Sequence, residues 1–540
     1  MASIQMARAA FEHRLTRRKA IASASGLVIA TSLVGHPTRS AAQSTPAATP
    51  LGTPAFSASP FSLGVASGDP MPDSVVLWTR LAPDPLAEDG LGGMPSMPVE
   101  VRWEIAEDDG FRQFVQTGTA TASPTLAHSV HVDATGLAPG RTYFYRFMAG
   151  GEVSPIGRTR TAPAIGSPVD RLRFAFASCQ NYESGYFTSY PHIVADDPDM
   201  IFFLGDYIYE NAGGENPDSA RTMTGGTLRT LADFRNRYAT YKADRDLQAA
   251  HAAVPWVLTW DDHEVANDYS GDDVEDGDGN VISVLDLRTN AYQAYYEHQP
   301  LRPGSLPTGP DMQLYRRLTW GDLAEFQVLD TRQYRTPFPS GYGEQPRAAG
   351  AFDPATTITG PDQEQWLLEG LDGSDARWNV IAQQVLMAEL LHQREPEIYW
   401  TDAWDGYPAA RNRILGHLQT GAISNPVVIT GDWHSTFVNE LKANFEDESS
   451  PTIAAEFVVS SISSNGDGGG YQDYYGPMIP LNPHIRLFDG DRRGYQRVEI
   501  TPDEWRVDLQ MVDTVLSETA GASTFASFVL ENGNPVVRQL

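Results

Sequence analysis

The stretch Met200–Tyr209, MIFFLGDYIY, indicates the fold more clearly than any other part of the chain. Its five apolar residues form a run that fits a strand buried on both faces, and a Gly-Asp pair ends the run. The same pattern, an apolar run followed at once by Cys, Asp or His, recurs at 174–179 (FAFASC), 256–263 (WVLTWDDH) and 427–434 (VVITGDWH). Since the carboxyl ends of the strands of an α/β sheet meet at one edge, we expect these polar side chains to form one site.

The pattern extends from residue 168 to about residue 512. Apolar runs at 326–329, 380–382 and 457–459 alternate there with longer helical or mixed segments, and Asp330 again follows a run directly. Alternation of this kind is typical of α/β domains, whose strands lie between layers of helices. We therefore predict an α/β domain over 168–512, with mixed β-sheets flanked by helices.

Residues 61–165 have a different pattern, that of an all-β domain. Short runs such as Val75–Trp78, Val99–Trp103 and Tyr143–Arg146 are separated by Gly and Pro and lack a helical period. The segment Gly136–Gly140, before a tyrosine-rich run, is typical of fibronectin-type sandwiches. These features predict an N-terminal fibronectin-like β-sandwich.

The N-terminus predicts export. A basic start, an apolar stretch over about 20–35 and small residues after it define a secretory signal, and the pair Arg17 and Arg18 favours the twin-arginine type over an ordinary Sec signal. The apolar stretch is too short to be a stable membrane span. We expect residues 1–42 to be removed as a twin-arginine signal peptide and residues 43–60 to form a flexible linker. The twin-arginine export machinery would then deliver the protein to the periplasm or the exterior.

The charge balance excludes several classes of function. The 540 residues carry 39 Lys and Arg against 69 Asp and Glu, so the net charge is −30. Such a charge opposes binding to nucleic acids and to anionic membranes, and it favours acidic loops that bind hard cations. We expect a monomer. The single cysteine, Cys179, cannot form a disulfide within the chain, so it is either a buried small residue or a ligand.

Seven side chains near the strand ends have the chemistry of a metal centre. A thiolate together with a phenolate suits a strongly Lewis-acidic ion such as ferric iron, whereas carboxylates suit a harder divalent ion such as calcium. In Asp206-x-x-Tyr209 the carboxylate can bridge two ions while the tyrosine, a turn later, binds one of them. The set is Cys179, Asp206, Tyr209, Asp262, His263, Asp432 and His434.

These motifs, in this order, resemble those of the alkaline phosphatases of the PhoD-like (phosphodiesterase/alkaline phosphatase D) family. The family is related to the dinuclear metallophosphoesterases, which include the purple acid phosphatases, and the resemblance covers nearly the whole mature chain. It implies an α/β metallophosphoesterase sandwich made of mixed sheets. The segments that carry it are Phe61–Asp69, Phe176–Gln180, Phe203–Tyr209, Thr259–Glu264, Leu329–Arg332, Trp404–Pro408 and Thr430–His434.

The resemblance also implies a role for each residue of the set. Three residues would bind ferric iron, namely Cys179, Tyr209 and His434. Asp206 would bridge the iron and a divalent ion, which is expected to be calcium, and Asp262 and Asp432 would complete the divalent site. His263 would contact the phosphate and protonate the leaving group.

Two further residues, Arg332 and Asp405, are candidates for binding the phosphate group of the substrate. A structural ion pair would explain Arg332 equally well, and packing around the pocket would explain Asp405. Residues 513–540 are expected to be a separate C-terminal segment, which in relatives can cover the site as a lid.

The predicted function is that of a secreted, metal-dependent hydrolase. It would cleave phosphate monoesters, diesters or both, with water activated by the metals. Two alternatives remain open. One is a phospholipase D-like phosphodiesterase on the same scaffold, and the other is a non-catalytic, calcium-binding extracellular module, which a colourless and iron-free preparation would favour.

Overall fold

Eight strands make up the N-terminal part of the described chain. The computed structural model describes residues 55–214, 219–275, 280–420 and 423–540, and all counts below refer to these residues. The first strands are β1 (Val65–Gly68), β2 (Ser74–Arg80), β3 (Val99–Ala106), β4 (Phe114–Ala122), β5 (Ser129–Thr135), β6 (Thr142–Ala149), β7 (Glu152–Val153) and β8 (Gly157–Arg160).

The N-terminal strands form two facing sheets, in keeping with the all-β pattern of this region. β3, β4, β6, β7 and β8 form one antiparallel sheet, while β1, β2 and β5 lie in another. Fully buried side chains such as Val75, Val101 and Tyr145 fill the space between the two sheets. The fibronectin-like type of this sandwich stays a prediction.

Nineteen strands follow. They are β9 (Leu172–Ala177), β10 (Met200–Leu204), β11 (Trp256–Thr259), β12 (Asp273–Glu275), β13 (Val281–Ser283), β14 (Arg316–Trp320), β15 (Ala324–Val328), β16 (Glu344–Gln345), β17 (Trp378–Gln383), β18 (Gln393–Arg394), β19 (Glu397–Trp400), β20 (Pro426–Thr430), β21 (Thr436–Lys442), β22 (Thr452–Val458), β23 (Ile485–Asp489), β24 (Gly494–Ile500), β25 (Glu504–Val512), β26 (Ala522–Glu531) and β27 (Asn534–Gln539). Every apolar run of the α/β region named above lies in or overlaps one of these strands.

Two large mixed sheets pack face to face at the centre of this region. The ten-stranded sheet has the order β27-β26-β25-β24-β9-β10-β11-β1-β2-β5, and the seven-stranded sheet has the order β14-β15-β17-β20-β22-β21-β23. Aromatic side chains interlock between them, with the ring centroid of Phe326 4.7 Å from that of Phe202 and 5.6 Å from that of Phe174. Strands β9 to β11 are parallel to one another, as are β15, β17, β20 and β22, so each sheet has one edge at which carboxyl ends meet.

Helices cover both outer faces of this sheet pair. The seven helices are α1 (Ser189–Ala195), α2 (Leu231–Lys242), α3 (Arg245–Ala253), α4 (Leu285–His298), α5 (Gly360–Asp372), α6 (Pro408–Thr420) and α7 (Tyr471–Tyr475). α1 to α4 pack on the ten-stranded sheet, and α5 and α6 pack on the seven-stranded sheet. A capping box begins α2, because the Thr230 hydroxyl accepts from the Asp233 N–H and the Asp233 carboxylate accepts from the Thr230 N–H. Mixed sheets flanked by helices are thus confirmed.

The C-terminal segment differs from the expectation of a lid. Residues of β26 pair with β25 over its whole length, and β27 pairs with β26 at the outer edge of the ten-stranded sheet. Phe528 and Leu530 of β26 are each 1% exposed and belong to the core between the two sheets. Because this burial and pairing hold residues 522–539 in the sheet, these residues are an integral part of the fold and are not free to close over a site.

The predicted signal peptide, residues 1–42, lies outside the described residues, as does most of the predicted linker. Among the residues that are described, no helix has both the length and the apolar character needed to cross a membrane.

Candidate functional site

The predicted site residues follow strands of both large sheets. Cys179, Asp206 and Asp262 follow β9, β10 and β11 of the ten-stranded sheet, and Asp432 and His434 follow β20 of the seven-stranded sheet. Loops of the two sheets are joined through their backbones, since the Ile462 N–H, after β22, donates to the Ser178 carbonyl, after β9, at 2.9 Å. The carboxyl edges of the two sheets therefore meet at one place, as the strand-end pattern predicted.

Four of the predicted ligands have a backbone conformation that is uncommon for residues with a side chain. The φ angles of Cys179, Asp206, Asp432 and His434 are 59°, 58°, 61° and 52°, all in the left-handed region. Each such residue costs of order 1–3 kcal/mol, and such residues cluster at functional sites where the surrounding structure holds them. Their grouping here indicates that the loops are shaped to aim these side chains at a common point.

Glycines allow the loops to approach so closely. Gly205 has a φ of +99°, and a Cβ at this position would lie 2.4 Å from the Cβ of Asp261. A Cβ at Gly431 would lie 2.8 Å from the Leu204 carbonyl oxygen and 2.9 Å from the Cβ of Ser178. Both glycines of the Gly-Asp pairs are therefore required by close contacts between the sheet ends.

Three overlapping groups of side chains at this place could each hold a metal ion. Within each group, one ligand atom from every residue lies within 4.8 Å of the others. Asp206 belongs to two groups and Asp262 to two, so the groups form a continuous series. They are Cys179 with Asp206 and His434, Asp206 with Asp262 and His263, and Asp261 with Asp262 and Asp432.

Tyr209 completes the first group. Its hydroxyl lies 3.0 Å from Oδ2 of Asp206 and 3.1 Å from Nε2 of His434. The side chain is 6% exposed, so the phenol is held inside the site rather than at its rim. All seven residues of the predicted set are thus brought together.

Buried carboxylate oxygens without a partner indicate what the groups could bind. Oδ1 of Asp206, Oδ2 of Asp261 and Oδ1 of Asp262 are buried and have no hydrogen-bond partner among the described residues. Burial raises the pKa of Asp206 well above its ordinary value, and the nearby carboxylates of Asp262 and Asp261 add to the effect although His263 opposes it. Unpartnered buried acceptors are rare and costly. Cations bound among them would satisfy these oxygens, so the donor set fits a metal centre.

The two histidines of the site differ in charge. Burial and the positive charges of Arg493 and His263 lower the pKa of His434 to about 3, so its ring is neutral and can offer a lone pair. Burial would also lower the pKa of His263, but the carboxylates of Glu210, Asp262 and Asp206 outweigh it and raise that pKa well above the ordinary value. Nδ1 of His263 lies 2.7 Å from Oε2 of Glu210, which leaves Nε2 to serve another partner.

Two residues that sequence reasoning passed over hold the ligand loops in place. The carboxylate of Glu264 accepts the N–H groups of Asp206, Tyr207 and Asp261 at 3.1, 2.6 and 2.9 Å. The hydroxyl of Ser464 donates to the Cys179 carbonyl at 2.8 Å and lies 2.7 Å from the Tyr209 hydroxyl. The place of Glu264 at the end of the Asp-Asp-His-Glu motif is the one sequence feature that could have indicated its role. No sequence feature indicates the role of Ser464.

Arg332 is placed for a structural role, not for binding a substrate. The side chain is fully buried, and its donors face carboxylates: Nε bonds Asp261 at 2.5 Å, and Nη1 and Nη2 bond Asp402 at 2.7 and 2.8 Å. Because this leaves no exposed N–H for a phosphate, the phosphate-binding prediction for Arg332 is not supported. The guanidinium instead neutralises carboxylates next to the metal-binding groups.

Asp405 lies in a different cluster. Its carboxylate pairs with the guanidinium groups of Arg411 and Arg347 and accepts the Leu390 N–H at 2.8 Å. The side chain is 1% exposed and belongs to none of the three metal-binding groups. Its predicted contact with the phosphate is therefore replaced by a buried ion-pair network, and the neighbouring Trp404 and Tyr407 are buried in the core beside the seven-stranded sheet.

Comparisons with known proteins agree with this geometry. The family described as "PhoD-like phosphatase" matches residues 174–509, and "PhoD-like phosphatase, N-terminal domain" matches residues 44–163. The chain belongs to the PhoD-like phosphatase family. Alkaline phosphatase D of Bacillus subtilis (strain 168) is 48% identical over 491 residues, which are 90% of this chain and 83% of that protein. A solved structure described as "Structure of PhoD" superposes with a TM-score of 0.86 at 48% identity and covers 90% of this chain and 93% of its own.

Membership of this family makes the protein a phosphoric ester hydrolase that depends on metal ions. The predicted resemblance is confirmed. The alternative of a non-catalytic, calcium-binding module is wrong, because the match extends over the catalytic region of an enzyme family.

Proposed function

We propose that this PhoD-like phosphatase is an exported enzyme that hydrolyses phosphate monoesters, diesters or both at two unlike metal ions, ferric iron and calcium. The observation that supports the proposal best is the series of three overlapping ligand groups, joined by Asp206 and Asp262. The twin-arginine signal in residues 1–42 supports export, since that route carries folded proteins with their metal loaded.

Iron is assigned to the group that contains sulfur. Cys179, Tyr209 and His434 would bind it, and Asp206 would bridge it to the second ion. A thiolate and a phenolate are strong donors to a trivalent ion, and the neutral ring of His434 adds a third. Burial raises the pKa of the Cys179 thiol well above its ordinary value, and the Asp206 carboxylate adds to the rise, so a cation is needed to stabilise the thiolate.

Calcium is assigned to the group that contains carboxylates alone. Asp262 and Asp432 were predicted as its ligands, and Asp261 joins them because its Oδ2 is buried and unpartnered beside them. Oxygen ligands of this kind suit calcium. Arg332 bonds the other oxygen of Asp261, and its Nη2 lies 3.7 Å from Oδ1 of Asp262. The positive charge of this guanidinium therefore offsets part of the negative charge of the three carboxylates.

The chain itself would bind the phosphate and assist the leaving group through His263. When bound, the two ions supply Lewis acidity that lowers the pKa of a coordinated water and stabilises charge on the phosphoryl oxygens. Glu210 holds Nδ1 of His263, so that Nε2 can donate a hydrogen bond to the phosphate and a proton to the leaving oxygen. The protein's −30 charge repels phosphate at long range, so binding depends on the cations inside the site.

Metal analysis with a substrate panel tests the proposal. The purified mature protein should contain iron and calcium, absorb visible light through a ferric phenolate, and release p-nitrophenol from a phosphate monoester, a bis-ester or both. Hydrolysis of phosphatidylcholine in preference to both would instead favour the phospholipase D-like alternative. A colourless, iron-free enzyme with full activity would contradict the iron assignment.

A pair of tyrosine variants makes the test specific. Tyr209→Phe removes the phenolate and should abolish the visible band. Tyr315→Phe is the matched control, because that ring packs on Tyr334 and Trp366 outside the site and the band should persist.

A further inference from the structure

Three aromatic rings stand beside the first ligand group and have no role in the proposal above. Trp433 lies between Asp432 and His434 in the chain, and its ring centroid is 5.7 Å from that of Tyr475. Tyr471 stacks on Tyr475 at 5.8 Å, and its ring lies 6.2 Å from the ring of His434. We call Trp433, Tyr471 and Tyr475 the aromatic wall.

The aromatic wall is anchored from outside the site. Tyr474 donates to Oε1 of Glu344 at 2.5 Å, and Nδ1 of His392 lies 2.7 Å from the same oxygen. The ring of Tyr475 also contacts that of Phe488, with the centroids 6.2 Å apart. Although these contacts hold α7, both Tyr471 and Tyr475 remain partly exposed. Their rings therefore offer a fixed surface next to the ligand His434.

One polar atom of the wall lacks a partner. Trp433 is 6% exposed, and its Nε1 has no hydrogen-bond partner among the described residues. A buried indole N–H usually finds an acceptor. Since this nitrogen is itself inaccessible, Trp433 contributes to the wall by packing on Tyr475 and not by a hydrogen bond to a ligand.

A second aromatic surface lies beside the carboxylate group. The hydroxyl of Tyr342 donates to Asp268, whose N–H in turn donates to Oδ2 of Asp262 at 2.7 Å. The ring of Trp400 packs on that of Tyr342, with the centroids 5.7 Å apart. Aromatic rings thus border both the sulfur-containing and the carboxylate-only ligand groups. A phosphodiester has an organic group on each side of phosphorus, and each group could contact one of these ring surfaces.

The arginines next to the ligand groups are held by the protein itself. The guanidinium of Arg332 is bonded to carboxylates, and that of Arg493 is bonded to the carbonyls of Ser464 and His434. Both are buried, so the ring surfaces, and not these arginines, are what the site offers to the organic groups of a diester.

We propose that the aromatic wall is a subsite for the organic group that stays on phosphorus when a phosphodiester is hydrolysed, and that it selects a flat ring over an alkyl group. This inference rests on the proposed function. In the reaction, water adds its oxygen to phosphorus, the bond to the leaving oxygen breaks, and the phosphate keeps its ring group as a monoester. His263 gives its proton to the leaving oxygen and recovers one from the water, whose other proton stays on the phosphate monoester or goes to the solvent.

Three diesters that share one leaving group test the inference. Methyl, cyclohexyl and phenyl p-nitrophenyl phosphate all release p-nitrophenol, so a difference in kcat/KM reports on the retained group. We expect the metal-loaded enzyme to prefer the phenyl diester. Since an aromatic contact is worth about two- to tenfold, Tyr471→Leu should lower the phenyl-to-methyl ratio of kcat/KM by up to that factor. Tyr471→Phe keeps the ring and should keep the ratio.

Both kcat/KM values of the phenyl-to-methyl ratio are measured on one preparation. A partial loss of folded or metal-loaded enzyme lowers both values equally, so it does not change the ratio. If Tyr471→Leu does not fold, Tyr475→Leu removes the neighbouring ring of the wall and should lower the ratio as well. An unchanged ratio in a leucine variant, an equal rate with the cyclohexyl diester, or hydrolysis of monoesters alone would overturn the inference and leave the proposed function standing. A metal-loaded enzyme that cleaves none of the diesters and no p-nitrophenyl phosphate would overturn the proposed function itself.

Discussion

Glu264 shows how a single buried carboxylate can organise a site without binding an ion. It lies at the point where the loops after β10 and β11 meet, and it collects three N–H groups that would otherwise be unpaired. A hydrogen bond of this kind is worth about 0.5–1.5 kcal/mol, so the three together stabilise the left-handed turn at Asp206. We regard it as a positioning residue.

The metal-free protein should lose stability as the pH rises from about 4.5 to about 8. Burial raises the pKa of Glu264 to about 8 from its ordinary 4.5, with Asp261 adding to the rise although the N–H donors oppose it. The folded chain therefore keeps a proton that the unfolded chain releases above about pH 4.5, and the free energy of unfolding falls across that interval. Urea unfolding of chelator-treated protein at pH 5 and pH 8 measures the difference.

Glu264→Gln is the control for that measurement, because glutamine cannot ionise. The variant should be less stable overall and should show a smaller difference between the two pH values. A metal-free wild-type protein that is equally stable or more stable at pH 8 would contradict the assignment.

Cys179 is the residue on which the iron assignment depends most directly. Replacing it by alanine should remove most of the iron and most of the activity, because no other thiol exists in the chain. Metal content after purification is the measurement. Cys179→Ser keeps a small polar side chain and should retain more iron than the alanine variant; full iron and full activity in Cys179→Ala would remove this residue from the ligand set.

The clustering of these candidate ligands could be predicted from the sequence, because they follow apolar strands and together offer a rare combination of donor types. The supporting residues could not be predicted in this way. Glu264 and Ser464 act on backbone groups that are close in space and, for Ser464 and Cys179, 285 positions apart in the chain. For Arg332, the sequence is compatible with phosphate binding and with a structural ion pair. The side chain is fully buried, which favours the ion pair.

At the scale of elements, short parallel strands were predictable and their long-range partners were not. A run such as MIFFL must be buried on both faces, so its apolar character alone marks the strand. The pairing of β1 with β11 and of β24 with β9 joins segments that are far apart in sequence. Pairing of this kind depends on the whole fold, which is why the sheet's extension into the N- and C-terminal regions was missed.

The C-terminal strands should be essential for stability. Phe528 of β26 is 1% exposed, so Phe528→Ala leaves a cavity between the sheets and should cost about 3–5 kcal/mol of unfolding free energy. Phe525→Ala is the matched control, since Phe525 is 39% exposed in the same strand and its loss should cost less than about 1 kcal/mol. Chemical denaturation measures both. Deleting residues 513–540 with retained folding and raised turnover would restore the lid interpretation.

At the scale of the whole molecule, the ligand groups lie where two independently hydrogen-bonded sheets meet. Cys179 and Asp206 extend from the ten-stranded sheet, and His434, in the same ligand group, extends from the seven-stranded sheet. Ions bound there would cross-link the sheets at their carboxyl edges and would neutralise part of the −30 charge. Metal binding and the stability of the sheet pair should therefore be coupled.

Metal removal is expected to destabilise the folded protein as a whole. An ion present at a thousandfold its Kd adds about 4 kcal/mol to the folded state, so a chelator should lower the Tm by several degrees, and restoring the metals should reverse the change. Asp432→Asn weakens the cross-link from the seven-stranded side, and its Tm should respond less to the chelator. Asp405→Asn is the control, because that buried carboxylate lies outside the ligand groups. Before chelator is added, the Tm of this variant should already be lower than that of the wild type. The chelator should then lower it by the same number of degrees as in the wild type. An equal chelator response in all three proteins would place the stabilising ions elsewhere.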